Sequence, residues 1–253
     1  MSRLRDVGNV EKNRDHFLRR RPGNLVFLLE KRIGWMNDYI RPGDKVLEIG
    51  AGIGVTKMFL TRGEITLSDV DKHPWLDRQE NALELSYDDA SLDVLIANNA
   101  IHHFPSPARF FHEAHRVLRP KGRLLIQDVN CSLMLRAILR LMRHETVDDS
   151  VRVFEENAVC AQPDDPWAGN NAVPNLLFDD PAEFTRHFPF FSILEQQFSE
   201  FFIFLLSGGV TAKFFTIPLP HPILKLLDRI DTALTRRMPS VFALQRRIVL
   251  ENS

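Results

Sequence analysis

Val46-Leu47-Glu48-Ile49-Gly50-Ala51-Gly52-Ile53-Gly54 decides the fold: an apolar run broken by one carboxylate, then glycines on alternate positions. Val46, Leu47 and Ile49 suit a strand buried on both faces of a parallel sheet. Gly50, Gly52 and Gly54 form a turn without side chains, where a ligand can touch backbone. That combination points to a nucleoside. A dinucleotide fingerprint G-x-G-x-x-G would put its third glycine at 55, where this chain has Val55, so the spacing argues against NAD or FAD.

Outward from that strand, the chain alternates between strand and helix. On the N-terminal side a polar arm leads to Leu25, Leu28, Leu29, Ile33, Met36 and Ile40 at helical spacing, and Arg41-Pro42-Gly43-Asp44 turns into the strand at 45–49. On the other side the pattern predicts a helix over 53–62, a strand over 65–69, a short extended stretch at 81–83 and a strand over 92–98. Ser106 and Pro107 open a helix through Leu118, as N-cap and first helical residue, and a strand follows at 123–128. This alternation is that of a doubly wound parallel sheet.

The second half breaks the rhythm. A helix is expected over 133–142, then residues 144–180 are rich in Pro, Asp and Asn, with few periodic apolar positions; a loop of that length is functional or disordered. Asp180-Pro181-Ala182-Glu183 starts a short helix. Phe190 to Leu206 is apolar and aromatic, Phe242 to Glu251 has strand character, and Pro222 to Arg237 between them reads as an amphipathic helix.

The totals limit the possibilities. A chain of 253 residues with 44% hydrophobic residues and a net charge of −1 is expected to form one domain, and it is not a polycation built for nucleic acid. No charge-free stretch is long enough to span a bilayer, the polar N-terminus does not read as a secretory signal, and Cys131 and Cys160 have no zinc-like spacing. A cytoplasmic protein without a metal site is expected, and oligomeric state is not legible.

The glycine run resembles motif I, E/D-x-G-x-G-x-G, of the class I S-adenosylmethionine-dependent methyltransferases, and four further segments resemble that family in order. Ser68-Asp69-Val70-Asp71 stands where an acid accepts from both ribose hydroxyls, 19 residues beyond Gly50. Asn81-Ala82-Leu83-Glu84-Leu85-Ser86-Tyr87 is similar to the adenine segment D-A-x-x-L-P-F, with Asn81 for the acid and Ser86 for the proline. Asp88-Asp89-Ala90-Ser91-Leu92-Asp93 is similar to D-x-S-F-D, and Glu113 to Arg123 to E-x-x-R-V-L-K-P-G-G-R, with Lys121 for a glycine and Glu113–Arg116 as a structural ion pair.

The resemblance implies a Rossmann-like α/β fold: a seven-stranded, mostly parallel sheet with an antiparallel last strand and insertions in the C-terminal half. Residues 1–23 would be an N-terminal arm, 24–130 the donor-binding core, and 131–253 the acceptor-side insertions and closing hairpin. It implies S-adenosyl-L-methionine as cofactor, S-adenosyl-L-homocysteine as product, and Glu48, Gly50, Ala51, Gly52, Gly54, Asp69, Val70, Asn81, Ala82 and Asn98 as the donor site. Asp71 is the alternate to Asp69. Glu48 has two roles open to it: meeting the ligand's ammonium, directly or through water, or holding the glycine loop.

Methyl transfer from a sulfonium is an in-line displacement, so positioning and exclusion of water matter most. A hydroxyl acceptor gains from a base, and His103, then His102, are the candidates; a histidine that only shapes the loop is the competing reading. Asp164 to Asn171, with Trp167, reads as a lid or an ordinary loop, and His144 and Glu145 are weaker candidates. The absence of N/D-P-P-Y after residue 98 argues against nucleobase amines. The expected activity is methyl transfer to a small-molecule or lipid-linked metabolite, foremost at oxygen. A non-catalytic donor-binding or protein-interaction module is one alternative, and a membrane-associated C-methyltransferase another. Phe201 to Leu206 and Phe214-Phe215 beside the basic helix suit core, a dimer contact or a peripheral membrane face.

Overall fold

The computed structural model describes residues 9–142, 146–162, 165, 168–208 and 216–253. Seven strands form one sheet: β1 (Lys45–Ile49), β2 (Glu64–Asp69), β3 (Arg78–Gln79), β4 (Leu92–Asn98), β5 (Leu118–Val129), β6 (Phe191–Ser199) and β7 (Gln245–Asn252), in the order β3-β2-β1-β4-β5-β7-β6. Pairings from β3 to β5 are parallel, and β7 runs antiparallel between β5 and β6. Strand order reverses between β1 and β4, so their carboxyl ends open a crevice where such sheets bind ligands. The glycine run leaves β1 at that crevice.

Alternate residues of the central strands feed opposite cores, as the two-residue period of a strand requires. Val46, Val94, Ile96, Leu125 and Val249 pack against α2 (Gly23–Gly34), which contributes Leu25, Leu28, Leu29 and Ile33. Leu47, Leu95, Leu124, Ile126 and Leu250 face α3 (Pro107–Val117), α5 (Val173–Phe178) and α6 (Pro181–His187). Phe111 of α3 centres an aromatic cluster there, with Phe178, Phe184, Phe188 and Phe191 at ring separations of 4.8 to 6.2 Å. The Glu113–Arg116 pair is structural: Arg116 donates to both Glu113 oxygens at 2.8 Å and to the carbonyls of Leu85 and Tyr87, and so fastens 85–89 to α3.

Several expected elements differ. The helix over 53–62 is only a short 3-10 turn at Thr56–Met58. Gly54 stands at φ 62°, a left-handed backbone that a right-handed helix cannot include, so no helix runs on from residue 53. The third strand lies at Arg78–Gln79, not 81–83, because Asn81 folds into a turn with Oδ1 accepting from the Leu83 N–H. The N-terminal arm contains α1 (Val10–Arg20), capped by the Asn9 side chain and burying Val10, Asn13 and Phe17 on one face. The apolar stretch to Leu206 divides after β6, and α7 (Phe202–Ser207) begins where Asp231 accepts from the N–H groups of Phe201, Phe202 and Ile203.

Within 144–180, the described residues are ordered by α5 and by buried Val153, Cys160, Ala161 and Ala172. The helix over 133–142 is present as α4 (Leu133–Met142), and α8 (His221–Arg237) and α9 (Pro239–Phe242) precede β7.

Candidate active site

Gly50, Gly52 and Gly54 all have positive φ (65°, 49° and 62°), a conformation that disfavours any residue with a Cβ. They do different work. A Cβ on Gly50 would lie 2.9 Å from that of Ala100, so the loop presses on the start of the segment after β4; a Cβ on Gly52 would meet open space. A Cβ on Gly54 would strike Trp75 at 2.8 Å, and Gly54 is not among the residues that line the cavity beside the loop. The space beside that glycine, expected to touch the ligand, is filled by Trp75, Leu76 and Arg14. Trp75 donates from Nε1 to the Gly52 carbonyl at 2.9 Å, and Arg14 of α1 donates to the carbonyls of Ile53 and Gly54 while its guanidinium stacks over Trp75.

Glu48 projects from the end of β1 and is 1% exposed. Its Oε1 accepts from the Thr56 hydroxyl at 2.9 Å, and its Oε2 is buried without a hydrogen-bond partner. Burial, with the nearby Asp69 charge, pushes this carboxyl up to about 7. The N–H groups of Ala51, Gly52 and Gly54 bond Ser68, Asp69 and Ala51, not Glu48, and the unmatched carboxyl oxygen fits a ligand ammonium.

Asp69 accepts from the Gly52 N–H at 2.9 Å and from the Asp71 N–H at 3.2 Å, one bond per oxygen. Each oxygen keeps a second lone-pair direction, the number two ribose hydroxyls need. Val70, Asp71, Asn81, Ala82 and Asn98 line the same cavity, as do Gly50 and Ala51. The Asn81 oxygen, read as the acceptor for the adenine amine, already takes the Leu83 N–H. Ser86, which stands in the place of a proline, donates its N–H and hydroxyl to buried Glu80 at 3.0 and 2.7 Å; proline would supply neither donor. Asn98 belongs to an amide chain along the sheet edge in which Trp35, Gln127, Gln245, Asn99 and Asn98 each donate to or accept from the next at 2.9 to 3.2 Å.

His102 and His103 follow β4, the strand between β1 and β5, and both line the cavity with rings 4.1 Å apart. His102 Nδ1 lies 2.5 Å from Asp128 Oδ1 at the end of β5. Asp128 also accepts from the N–H groups of Ile101 and Val129, and it is fully buried. A carboxylate that only accepts fixes the proton on Nδ1, which makes Nε2 the basic atom of the neutral ring. Gly169 packs on the pair: a Cβ there would lie 2.8 Å from His102 and 2.9 Å from His103. Asp128 was not singled out in the sequence, where its one signal is a carboxylate closing an apolar strand.

The same cavity, about 990 Å³, also has an apolar part to its lining. Leu29 and Ile33 of α2, Leu135, Ile138 and Leu139 of α4, and Phe204 of α7 form it. Arg32 of α2 also lines the cavity: its Nε and Nη2 grip Glu200 at 2.7 to 3.0 Å, and among the described residues Nη1 makes no hydrogen bond. The helical pattern of α2 and α4 was legible, but their inward faces showed no ligand signal distinct from core.

His144, Glu145, Asp164, Trp167, Phe214 and Phe215 lie outside the described residues. Of the expected lid, Asn170 and Asn171 are buried: Asn170 donates to the His102 carbonyl and Asn171 to that of Thr146, so these two residues are structural neighbours of the histidines. Burial pushes the Cys131 and Cys160 thiols up to about 11, which makes both poor nucleophiles. Among the described residues no group of three or more His, Cys, Asp or Glu is placed to hold a metal ion.

Residues 47–126 match the family model described as "Methyltransferase domain". The 27-O-demethylrifamycin SV methyltransferase of Amycolatopsis mediterranei is 33% identical over 109 residues, covering 35% of this chain and 40% of that protein. The ubiquinone biosynthesis O-methyltransferase of Azotobacter vinelandii is 26% identical over 117 residues, covering 39% and 50%. The chain thus spans half or less of the length of these curated relatives. A SAM dependent methyltransferase from Archaeoglobus fulgidus shares the fold, with a TM-score of 0.54 at 15% identity over 89% of this chain and 93% of that one. The matched span holds Glu48, Asp69 and both histidines, whereas Asp128, Arg32 and the apolar wall lie beyond it.

Proposed function

Because the chain carries a class I S-adenosylmethionine-dependent methyltransferase domain, we propose that it methylates an oxygen of a small, largely apolar or lipid-linked acceptor. The observation that carries this reading is a single cavity lined by Glu48, Asp69, both histidines and the aliphatic side chains of α2 and α4. S-adenosyl-L-methionine supplies an electrophilic methyl group on a sulfonium. At the polar end, Glu48 Oε2 takes the ammonium, Asp69 takes the ribose hydroxyls, and Ala82 lies beside the base. The buried apolar wall excludes water from the transfer, which suppresses hydrolysis and strengthens local electrostatics.

His102 acts as the base in this account, with His103 as its neighbour. Asp128 holds the Nδ1 proton and stabilises the imidazolium formed when Nε2 takes the acceptor's hydroxyl proton. The apolar wall favours a hydrocarbon-rich acceptor, and Arg32 Nη1, which the Glu200 pair does not engage, can donate to an oxygen on it.

The experiment is methyl transfer from methyl-labelled S-adenosylmethionine to an extract of the native cell, partitioned between solvent and water. Label should enter the organic phase and fall by about 10² to 10⁴ in His102→Ala. Absence of label, with the donor bound, would leave a non-catalytic binder; label confined to nucleic acid would contradict the acceptor assignment.

A further inference from the structure

From the outer surface of α8 and its neighbours, we infer that this protein docks on an anionic bilayer surface, with the apolar wall of the acceptor cavity next to the lipid. The inference rests on the apolar-acceptor reading above. α8 carries three rows of residues along its length. Leu224, Asp231 and Thr235 are buried, and they orient the helix: Leu224 joins the core with α2, Asp231 caps α7, and Thr235 donates to the carbonyls of Phe198 and Asp231. Ile223, Leu226 and Ile230 recur on a second row and are 44%, 56% and 43% exposed. Lys225, Arg229 and Arg236 form a third row, and Arg237 ends the helix; all four are exposed.

Charge complementarity selects the occupant. No exposed residue of α8 is acidic, and the one ion pair on this helix among the described residues joins Asp228 to Lys31. Four cations border an aliphatic stripe on a protein whose net charge is only −1. That is the pattern of a helix lying in a headgroup layer, its aliphatic row entering and its basic row meeting anionic lipid. The stripe has company on adjoining helices: α4 exposes Leu133 and Leu141 at 63% and 86%, and α7 exposes Leu205. These helices share a hydrophobic cluster that includes Leu135, Ile138, Phe204 and Leu234, so α4 and α7 line the acceptor cavity inside while offering aliphatic side chains outside. No helix among the described residues is long and apolar enough to cross a membrane, so contact is at the surface.

The test is sedimentation with vesicles of phosphatidylcholine, alone or mixed with phosphatidylglycerol, at low and high salt. The protein should pellet with the mixed vesicles at low salt, release at high salt, and stay in solution with phosphatidylcholine alone. Lys225→Gln with Arg229→Gln should lower partitioning roughly twenty- to thirtyfold, at about fivefold per cation, and Leu226→Ser with Ile230→Ser should also release it. These residues lie outside the donor site, so S-adenosylhomocysteine binding should be unchanged; its loss in the unmodified protein would refute the enzyme reading independently of the membrane result. Failure to pellet, or pelleting that the substitutions leave unchanged, overturns the docking face. A dimer dispersed by Leu226→Ser without vesicle binding overturns it too, and assigns the stripe to a second copy of the chain.

Discussion

Glu48 shows how one residue ties stability to ligand binding. Its carboxyl is raised from 4.5 to about 7 by burial, so the folded, unliganded protein favours the protonated form. The folded value lies above the unfolded one, so the stabilisation is fully present below pH 4.5 and is lost as pH rises through about 7. Melting temperature should therefore fall across that window, and Glu48→Gln should flatten the decline. A ligand ammonium reverses the preference, so S-adenosylhomocysteine affinity should increase with rising pH, by up to about tenfold per unit until about pH 7, and Glu48→Gln should remove that slope; a slope identical in both proteins would discard the ammonium contact. At His102, Asp128→Asn replaces the acceptor that fixes the Nδ1 proton, and kcat should fall by about 10² or more with donor affinity retained. Glu48 and the histidines were legible because their types are unusual where they stand, at the end of an apolar strand. Asp128 was not, because its role depends on strand pairing that brings β5 beside β4.

The elements show where local pattern is a sufficient guide. β1, β4, α4 and the closing hairpin follow from apolar runs and caps. The helix expected after the glycine loop is reduced to one 3-10 turn, because Gly54 holds a left-handed backbone that interrupts it. In its place α1, Arg14 and Trp75 brace the loop from the side that Gly54 leaves open. Gly54→Ala forces a left-handed backbone and a 2.8 Å contact with Trp75, and should cost about 2–4 kcal/mol of stability, read from chemical denaturation. Gly52→Ala meets open space and should cost about 1–2 kcal/mol from backbone strain alone. Equal costs would show that the bracing does not constrain the loop. α1 itself was hidden in a polar arm, because only Val10, Asn13 and Phe17 mark its buried face.

Across the whole molecule, the polar end of the cavity is built by sequence-local motifs and the apolar end by distant helices. That division explains why the donor side could be read early and the acceptor side could not: Leu29, Leu135 and Phe204 look like ordinary core until the fold brings them around one space. On the proposed function, one crevice would take both a charged nucleoside and a hydrocarbon-rich acceptor, with His102 just after β4 and Asp128 on β5. The most direct measurement is calorimetric titration of the full chain with S-adenosylhomocysteine, beside Asp69→Ala and Glu48→Gln. One site per chain is predicted, with affinity lost by about tenfold or more in each variant, since each removes a charge-assisted contact worth about 1.5–3 kcal/mol. No binding by the unmodified chain, or equal binding by all three, would contradict the donor site on which the account rests.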